Sequence, residues 1–464
     1  MADQVAVASD RAGLGDGFTA RVAADVRSIS SLPLSERVLE RTYHAVLDWL
    51  GVTIFGAKNE SARIAQQFAL LEGGNAVSRI IGTPYKATAR QAALAGGIAS
   101  HSNDYDDMGI GGHPSVVVLP AAFAVADAVG ADGRTTVDAI LQGYEAMKLI
   151  SAAVGNSQYA RGFHSTSTFG AFGATAAAAR LLELDLLQLE RAFGIAAAQA
   201  SGLKANFGTM CKHMNAGNAA AVGVLSAYLA KAGFTGATNV IEAPQGFAQA
   251  HNEGPTDFDP NLAGSQLSER LGVEQIMYKP YAACGGTHSP IAGVQTLKAE
   301  HHFSADDVQS VVIHHAMSMN EVCNIPEPTT GTEGMFSVRY TVALALVGAS
   351  LTPVSFTDAR VNDPDLVAVR ERVQVISSED VPVHSSPVTI QLKDGKVLES
   401  TTQALIVTPD ERLPRQRAQL EEKYRDLADP ILGADRAEQL LTTVRQIETL
   451  GSIRDLTDLT ASKE

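Results

Sequence analysis

Residues 168–183 read TFGAFGATAAAARLLE, and this stretch decides the class of fold. Alanine is the strongest helix former. A helix faced with Gly and Ala lets its neighbours approach closely. Runs of similar texture cover roughly 88–102, 116–130, 136–154, 188–201 and 213–232. Upstream, Val38, Leu39, Tyr43, Val46, Leu47 and Leu50 recur at helical spacing behind Ser35, a candidate cap. No fixed-period repeat joins these runs, so they read as a buried multi-helix bundle rather than a solenoid. Residues 1–20, rich in Gly, Asp and Ala, read as a frayed tail.

The texture changes near residue 275. Val308–Ala316, Arg372–Ser378 and Val388–Leu392 are β-branched and partly alternating, as strands are. Asp394-Gly395 between VTIQLK and KVLEST is a hairpin signal. Residues 356–371 read as a helix between the first two strands, and charged helical patterns return over Leu413–Asp426 and Arg436–Leu450. The expected fold is mainly α. A large helical domain spans 1–275 and is completed by 406–464, with a smaller α+β domain, 276–405, inserted before the C-terminal helices.

Composition narrows the function. The formal net charge of −15 argues against nucleic acid and against anionic membrane surfaces as partners. A small anionic substrate stays open, because a few local cations can reverse the field inside a cleft. Cys211, Cys284 and Cys323 are too few and too scattered for a disulfide framework, which points to a reducing compartment. The N-terminus lacks the pattern of a secretory signal and no run reads as a membrane span, so the expected location is the cytoplasm.

The chemistry concentrates in residues 101–115, HSNDYDDMGIGGHPS. His101 and His113 bracket Asp104, Asp106 and Asp107 in a Gly-rich turn, and a packed helix has no structural use for such a set. The types suit zinc, manganese or iron as well as acid–base work, but the HExxH spacing is absent. Three separated cysteines also exclude an iron–sulfur cluster. His113 opens the next helix, where free N–H groups can receive an anion. A second cluster is Arg161–Thr166, in which His164 is either a helix cap or a catalyst. A third, GLKANFGTMCKHMNAG at 202–217, sets Lys212 and His213 among small residues, where a lysine can reach a carboxylate. Lys279–His288, KPYAACGGTH, marks the start of the second domain, where an interdomain cleft is expected. FSVRY at 336–340 carries Tyr340. There is no nucleotide fingerprint and no GxSxG elbow, so the chemistry rests on side chains, with neither cofactor nor metal.

Taken together these segments resemble the MmgE/PrpD family. The loop is similar to the HxxDFDDT…HPS segment of that family. The likeness continues through GFHSTSTFGAFGATAAAARLL, GLKANFGTMCKHMNAG, KPYAACGGTH and MFSVRYTVALAL, in the same order across most of 35–405. The resemblance implies a helical domain with an α+β lid, a homodimer, a cleft between the domains and no organic cofactor. It assigns catalytic roles to Asp104, His113, His164, Lys212 and Tyr340. It places Lys279, Met108, His213 and His288 at the substrate. Two departures stand out: Met108 replaces the Thr after DFDD, and Asn215 stands where KPLHxG has a His.

The implied chemistry is proton transfer at a carbon next to a carboxylate, with the enediolate-like charge stabilised by Lys212 and Lys279. His164 and His113 are the expected acid–base pair, Asp104 an orienter and Tyr340 a donor or relay. The first reading is a cofactor-free lyase of a small di- or tricarboxylate, dehydrating as 2-methylcitrate dehydratase does or decarboxylating as cis-aconitate decarboxylase does. The alternatives are an epimerase of an amino- or imino-dicarboxylate such as iminodisuccinate, and a noncatalytic binding paralogue.

Overall fold

In a computed structural model that describes residues 17–252, 258–263 and 270–462, helices form where the small-residue runs lie. They are α1 (Phe18–Ser28), α2 (Glu36–Gly56), α3 (Glu60–Glu72), α4 (Ala89–His101), α5 (Ser115–Val129), α6 (Gly133–Val154), α7 (Ser165–Leu181), α8 (Leu186–Ala197) and α9 (Met210–Lys231). Ser35 caps α2 by accepting the Val38 N–H at 3.3 Å. Residues 1–16 of the expected tail lie outside the described residues. The rest of it is not frayed: Phe18, Val22 and Val26, one helical turn apart, are buried in α1.

Small residues act as expected. α9 packs on α7 and α4, and α7 on α5 and α6. A methyl group at Gly97 of α4 would stand 2.7 Å from Gly217 Cα of α9, so the two backbones meet directly. At this distance any side chain would push the helices apart.

The second part holds α10 (His288–His301), β1 (Val308–Ala316), α11 (Val338–Val347), β2 (Val373–Ser378), β3 (Pro387–Leu392) and β4 (Val397–Thr401). The sheet order is β2-β1-β3-β4, with β1 and β2 parallel and the other pairs antiparallel. Ile313 pairs with Val375 on one side and Val388 on the other, while α10 covers β3 and β4. The Asp394-Gly395 turn forms as read, with Gly395 at φ 92°. The expected helix 356–371 is broken into Asp358–Val361 and Pro364–Arg370. Pro364 has no N–H to continue the first helix, and Asp363 caps the second by accepting from Asp365 N at 3.0 Å.

One apolar cluster joins α1–α9 with the closing helices α12 (Leu413–Leu432) and α13 (Ala434–Val444), and α12 lies along α2. A second cluster gathers α10, α11 and the sheet, and reaches Val52, Tyr105 and Leu427 on the helical side. Among the described residues no helix is long and apolar enough to cross a membrane.

Candidate active site

Three helix N-termini (α5, α7 and α9) and the C-terminus of α4 converge on the loop 102–114. The loop closes as a tight hairpin, Gly109 N–H to Gly112 O at 2.8 Å and Gly112 N–H to Gly109 O at 2.7 Å. Gly112, at φ 148°, has no room for a Cβ, which would stand 2.8 Å from Thr166 Cα. This close approach lets Thr166 Oγ1 accept the His113 N–H at 3.1 Å and joins the loop to α7. Met108 and Met277 exchange both backbone hydrogen bonds at 2.8 Å, which ties the loop to the segment leading into the second part.

Each carboxylate of the loop has a different task. Asp104, held in the left-handed region at φ 47°, receives the ammonium of Lys212 and, at 3.0 Å, that of Lys279. Burial would raise its pKa, yet these two cations hold it well below the usual carboxylate range. Asp106 takes Nδ1 of His101 at 3.1 Å and Nδ1 of His113 at 2.7 Å. Burial opposes its ionisation too, but the two imidazoles keep its pKa depressed. Asp107 faces the other way and accepts both the N–H and the hydroxyl of Ser115, capping α5. Burial pushes Asp107 far above the ordinary range, and the neighbouring carboxylates of Asp48 and Asp106 add to this.

The histidines differ as sharply. His113 turns Nδ1 to two acceptors, Asp106 Oδ2 and the Asp107 carbonyl at 2.7 Å, so Nδ1 carries the proton and Nε2 is left to accept one. His164 turns Nδ1 to Asn215 Nδ2 at 3.2 Å, an amide donor, so its proton sits on Nε2. Burial drives the His164 pKa well below the ordinary range, with the nearby His101 and Lys212 adding to it, and its ring stays neutral. His101 lies between them, 4.8 Å from the His113 ring and 5.8 Å from that of His164, and burial lowers it to about 4.

A cavity of about 420 Å³ opens between the two apolar clusters. Asp104, Met108, His113, His164 and Lys212 line it from the helical side, and Met277 from the connecting segment. Cys284, Met319, Val322, Phe336 and His384 face them from the other part. Lys212 sits 5.1 Å over the Phe336 ring, a cation–π contact across the cleft.

Four expected site residues do not reach this cavity. Tyr340 is fully buried and its hydroxyl donates to Ser355 O at 2.7 Å. Lys279 is buried behind Asp104, bonded to its carbonyl at 2.9 Å as well as its carboxylate, so it steadies Asp104 rather than reaching into the cavity. His213 pairs with Ser61 Oγ at 3.1 Å, and His288 donates through Nε2 to Ala283 O at 3.1 Å. Burial, with Lys212 or Lys279 near, lowers both to about 3. All four are absent from the cavity wall. His384, Met319 and Phe207 line it unforeseen. No motif marks His384, which lies in the segment between β2 and β3.

His101, Asp104, Asp106 and His113 each offer a ligand atom within 4.8 Å of one another. Two ammonium groups already stand at Asp104, and both imidazole Nδ1 atoms are turned to Asp106. A metal cation would meet that positive charge. The donor set fits proton transfer better than metal binding.

Models of the MmgE/PrpD N-terminal and C-terminal domains match residues 20–259 and 281–449. Among curated proteins, the cis-aconitate decarboxylase of Homo sapiens is 27% identical over 457 residues, covering 95% of this chain and 94% of the relative. That of Mus musculus is 27% identical over 445 residues, covering 92% and 90%. That of Aspergillus terreus (strain NIH 2624 / FGSC A1156) is 26% identical over 472 residues, covering 96% of each.

Proposed function

The chain belongs to the MmgE/PrpD family, and from that premise we propose a cofactor-free lyase that decarboxylates or dehydrates a small di- or tricarboxylate of the cis-aconitate type. The observation that carries the reading is the pair of oppositely set histidines, His113 with a free Nε2 and His164 with an Nε2–H, on one cavity beside Lys212. The names of the relatives support the substrate class.

In this reading His113 Nε2 exchanges the proton, and the Asp106 carboxylate steadies the imidazolium that forms. Breaking a C–H or C–CO₂ bond leaves an electron pair that spreads onto a carboxylate. The neutral His164 Nε2–H donates to that developing oxyanion, as a neutral imidazole with a lowered pKa can. The Lys212 ammonium, oriented by Asp104, adds charge stabilisation in a site shielded from water. In decarboxylation carbon dioxide leaves and the carbon takes a proton from His113 in its imidazolium form, protonated at Nε2 and recharged from water after each turnover. In dehydration His113 removes the proton and hydroxide leaves from the adjacent carbon. The family resemblance also carries a homodimer, which light scattering on the purified chain tests.

The direct test is proton NMR in deuterated water with cis-aconitate, citrate and iminodisuccinate. A new vinyl signal supports the lyase. Deuterium incorporation without net conversion replaces it with the epimerase, and binding without either change leaves a noncatalytic paralogue.

A further inference from the structure

The cavity has too little positive charge for a polycarboxylate if Lys212 works alone. Lys212 is the one lysine or arginine among the described residues that line it, and Asp104, which the buried Lys279 shares, offsets part of its charge. Of the three helix N-termini at the cleft, that of α5 is closed by the Asp107 carboxylate and that of α9 by the Thr209 hydroxyl.

The N-terminus of α7, a helix of 17 residues, has no side-chain cap. Ser167 and Thr168 return their N–H groups to His164 O at 2.8 and 3.2 Å, which leaves those of Ser165 and Thr166 at the open end of the helix. The hydroxyls of the same turn sort clearly. Thr166 Oγ1 accepts from His113 N, Ser167 Oγ donates to Asn215 O at 2.8 Å and Thr168 Oγ1 donates to Gln158 Oε1 at 2.8 Å. Ser165 Oγ is buried without any hydrogen-bond partner, although Ser165 lines the cavity and is only 6% exposed. A buried hydroxyl left unpaired is unfavourable unless a ligand completes it.

We propose that Ser165 Oγ and the first N–H groups of α7 form a carboxylate-binding subsite, which holds a non-reacting carboxylate of the substrate while the reacting end lies at His113 and Lys212. The proposal rests on the polycarboxylate reading above. Planar, acceptor-only carboxylate oxygens match a hydroxyl beside the N–H donors of a helix N-terminus, and the helix dipole favours their charge. Ser165 is a binding and specificity residue here; it takes no part in proton transfer.

The test uses the full chain with Ser165→Ala and Ser165→Pro. Ala removes the hydroxyl alone. Pro removes the hydroxyl and one N–H, and suits the first position of a helix, which follows His164 in an extended conformation at ψ 99°. Calorimetric titration with cis-aconitate, citrate and succinate gives the affinities, and thermal melts give stability. The expected result is binding weakened about tenfold by Ala and further by Pro. Where a probe is turned over, KM should rise with kcat kept within about twofold. The melting temperature of Ser165→Ala should hold or rise, because an unpaired buried hydroxyl is gone; a purely structural serine would lower it. A wild-type chain that binds none of the three acids overturns the subsite together with the carboxylate reading. Wild-type binding that both variants match overturns the subsite alone.

Discussion

The two walls of the cavity are built from opposite materials. The helical wall presents helix ends, with Asp104, His113, His164, Ser165 and Lys212 drawn from three separate segments of the chain. The α+β wall presents Cys284, Met319, Val322 and Phe336, with His384 as its only ionisable imidazole among the described lining residues. Helix termini supply unpaired donors and fixed partial charges, so they suit the side where charge changes. An apolar wall excludes water and strengthens every electrostatic interaction facing it. The division predicts that substitutions at His113, His164 and Lys212 on the helical wall change turnover, whereas those at Ser165 and on the α+β wall change binding.

The largest expected effect falls on His113. His113→Gln should lower kcat by about two to four powers of ten while the circular dichroism melt stays intact. Near-normal turnover would remove the chemistry from this wall altogether. Next comes Asp104→Ala, which leaves the fully buried Lys279 ammonium without its counter-charge. Breaking a buried ion pair in this way costs about 3–5 kcal/mol, read as a lower urea midpoint. A midpoint like that of the parent would mean that water reaches Lys279.

Acid should destabilise both sides of the cleft, in two windows. His101 and His213 on the helical side, and His288 and His315 on the other, have folded pKa values lowered by burial to about 4, 3, 3 and 4. The unfolded chain therefore binds protons first, and the stability these neutral rings allow is full above pH ~6.5 and lost as pH falls toward 4. At pH 5 unfolding should take up about four protons from these groups, a slope of about 1.4 kcal/mol per pH unit for each. Asp104 and Asp106 are depressed carboxylates, so their contribution is present above pH ~4 and lost only below it. Urea midpoints from pH 8 to pH 3 check both windows. A flat profile between 6.5 and 4 would show that the histidines titrate as if exposed.

The two walls were not equally legible in the sequence. The loop 101–115 stands out because so many ionisable groups in a Gly-rich turn have no structural purpose, and the helices around it show in their small-residue texture. Depth is harder to read. Lys279 and Tyr340 lie in the segments that carry the resemblance, but the sequence does not say that one sits behind Asp104 or that the other turns its hydroxyl to Ser355. Ser165 carries no signal beyond its place in the cluster Arg161–Thr166, because an unsatisfied hydroxyl becomes visible only when its neighbours' partners are known. His384 is brought to the cavity by closure between two parts of the chain, for which local pattern carries no signal.

Phe336 tests the α+β wall at intermediate size. Its ring lies under the Lys212 ammonium and 5.7 Å from Phe207, so it positions the cation across the cleft. Phe336→Leu keeps the apolar surface and removes the ring, a loss of about 0.5–2 kcal/mol. That corresponds to KM raised roughly 2- to 30-fold, with a smaller change in kcat.

The smallest effect is expected at His384, and it bears most directly on the division between the walls. Its backbone is held at φ 66°, and its carbonyl accepts the Ser289 hydroxyl. Burial lowers its pKa, and the nearby Lys279 charge does so further, while Nδ1 has no hydrogen-bond partner. A neutral ring so placed can offer one hydrogen bond to a bound acid but does not hold a proton ready for transfer. His384→Gln keeps a hydrogen-bonding group of similar reach, so KM should rise by no more than about threefold with kcat unchanged. If kcat instead falls as far as in His113→Gln, one proton of the reaction passes through the α+β wall. The chemistry would then span the cleft, and the contrast between a reactive wall and a shielding wall would fail at this residue.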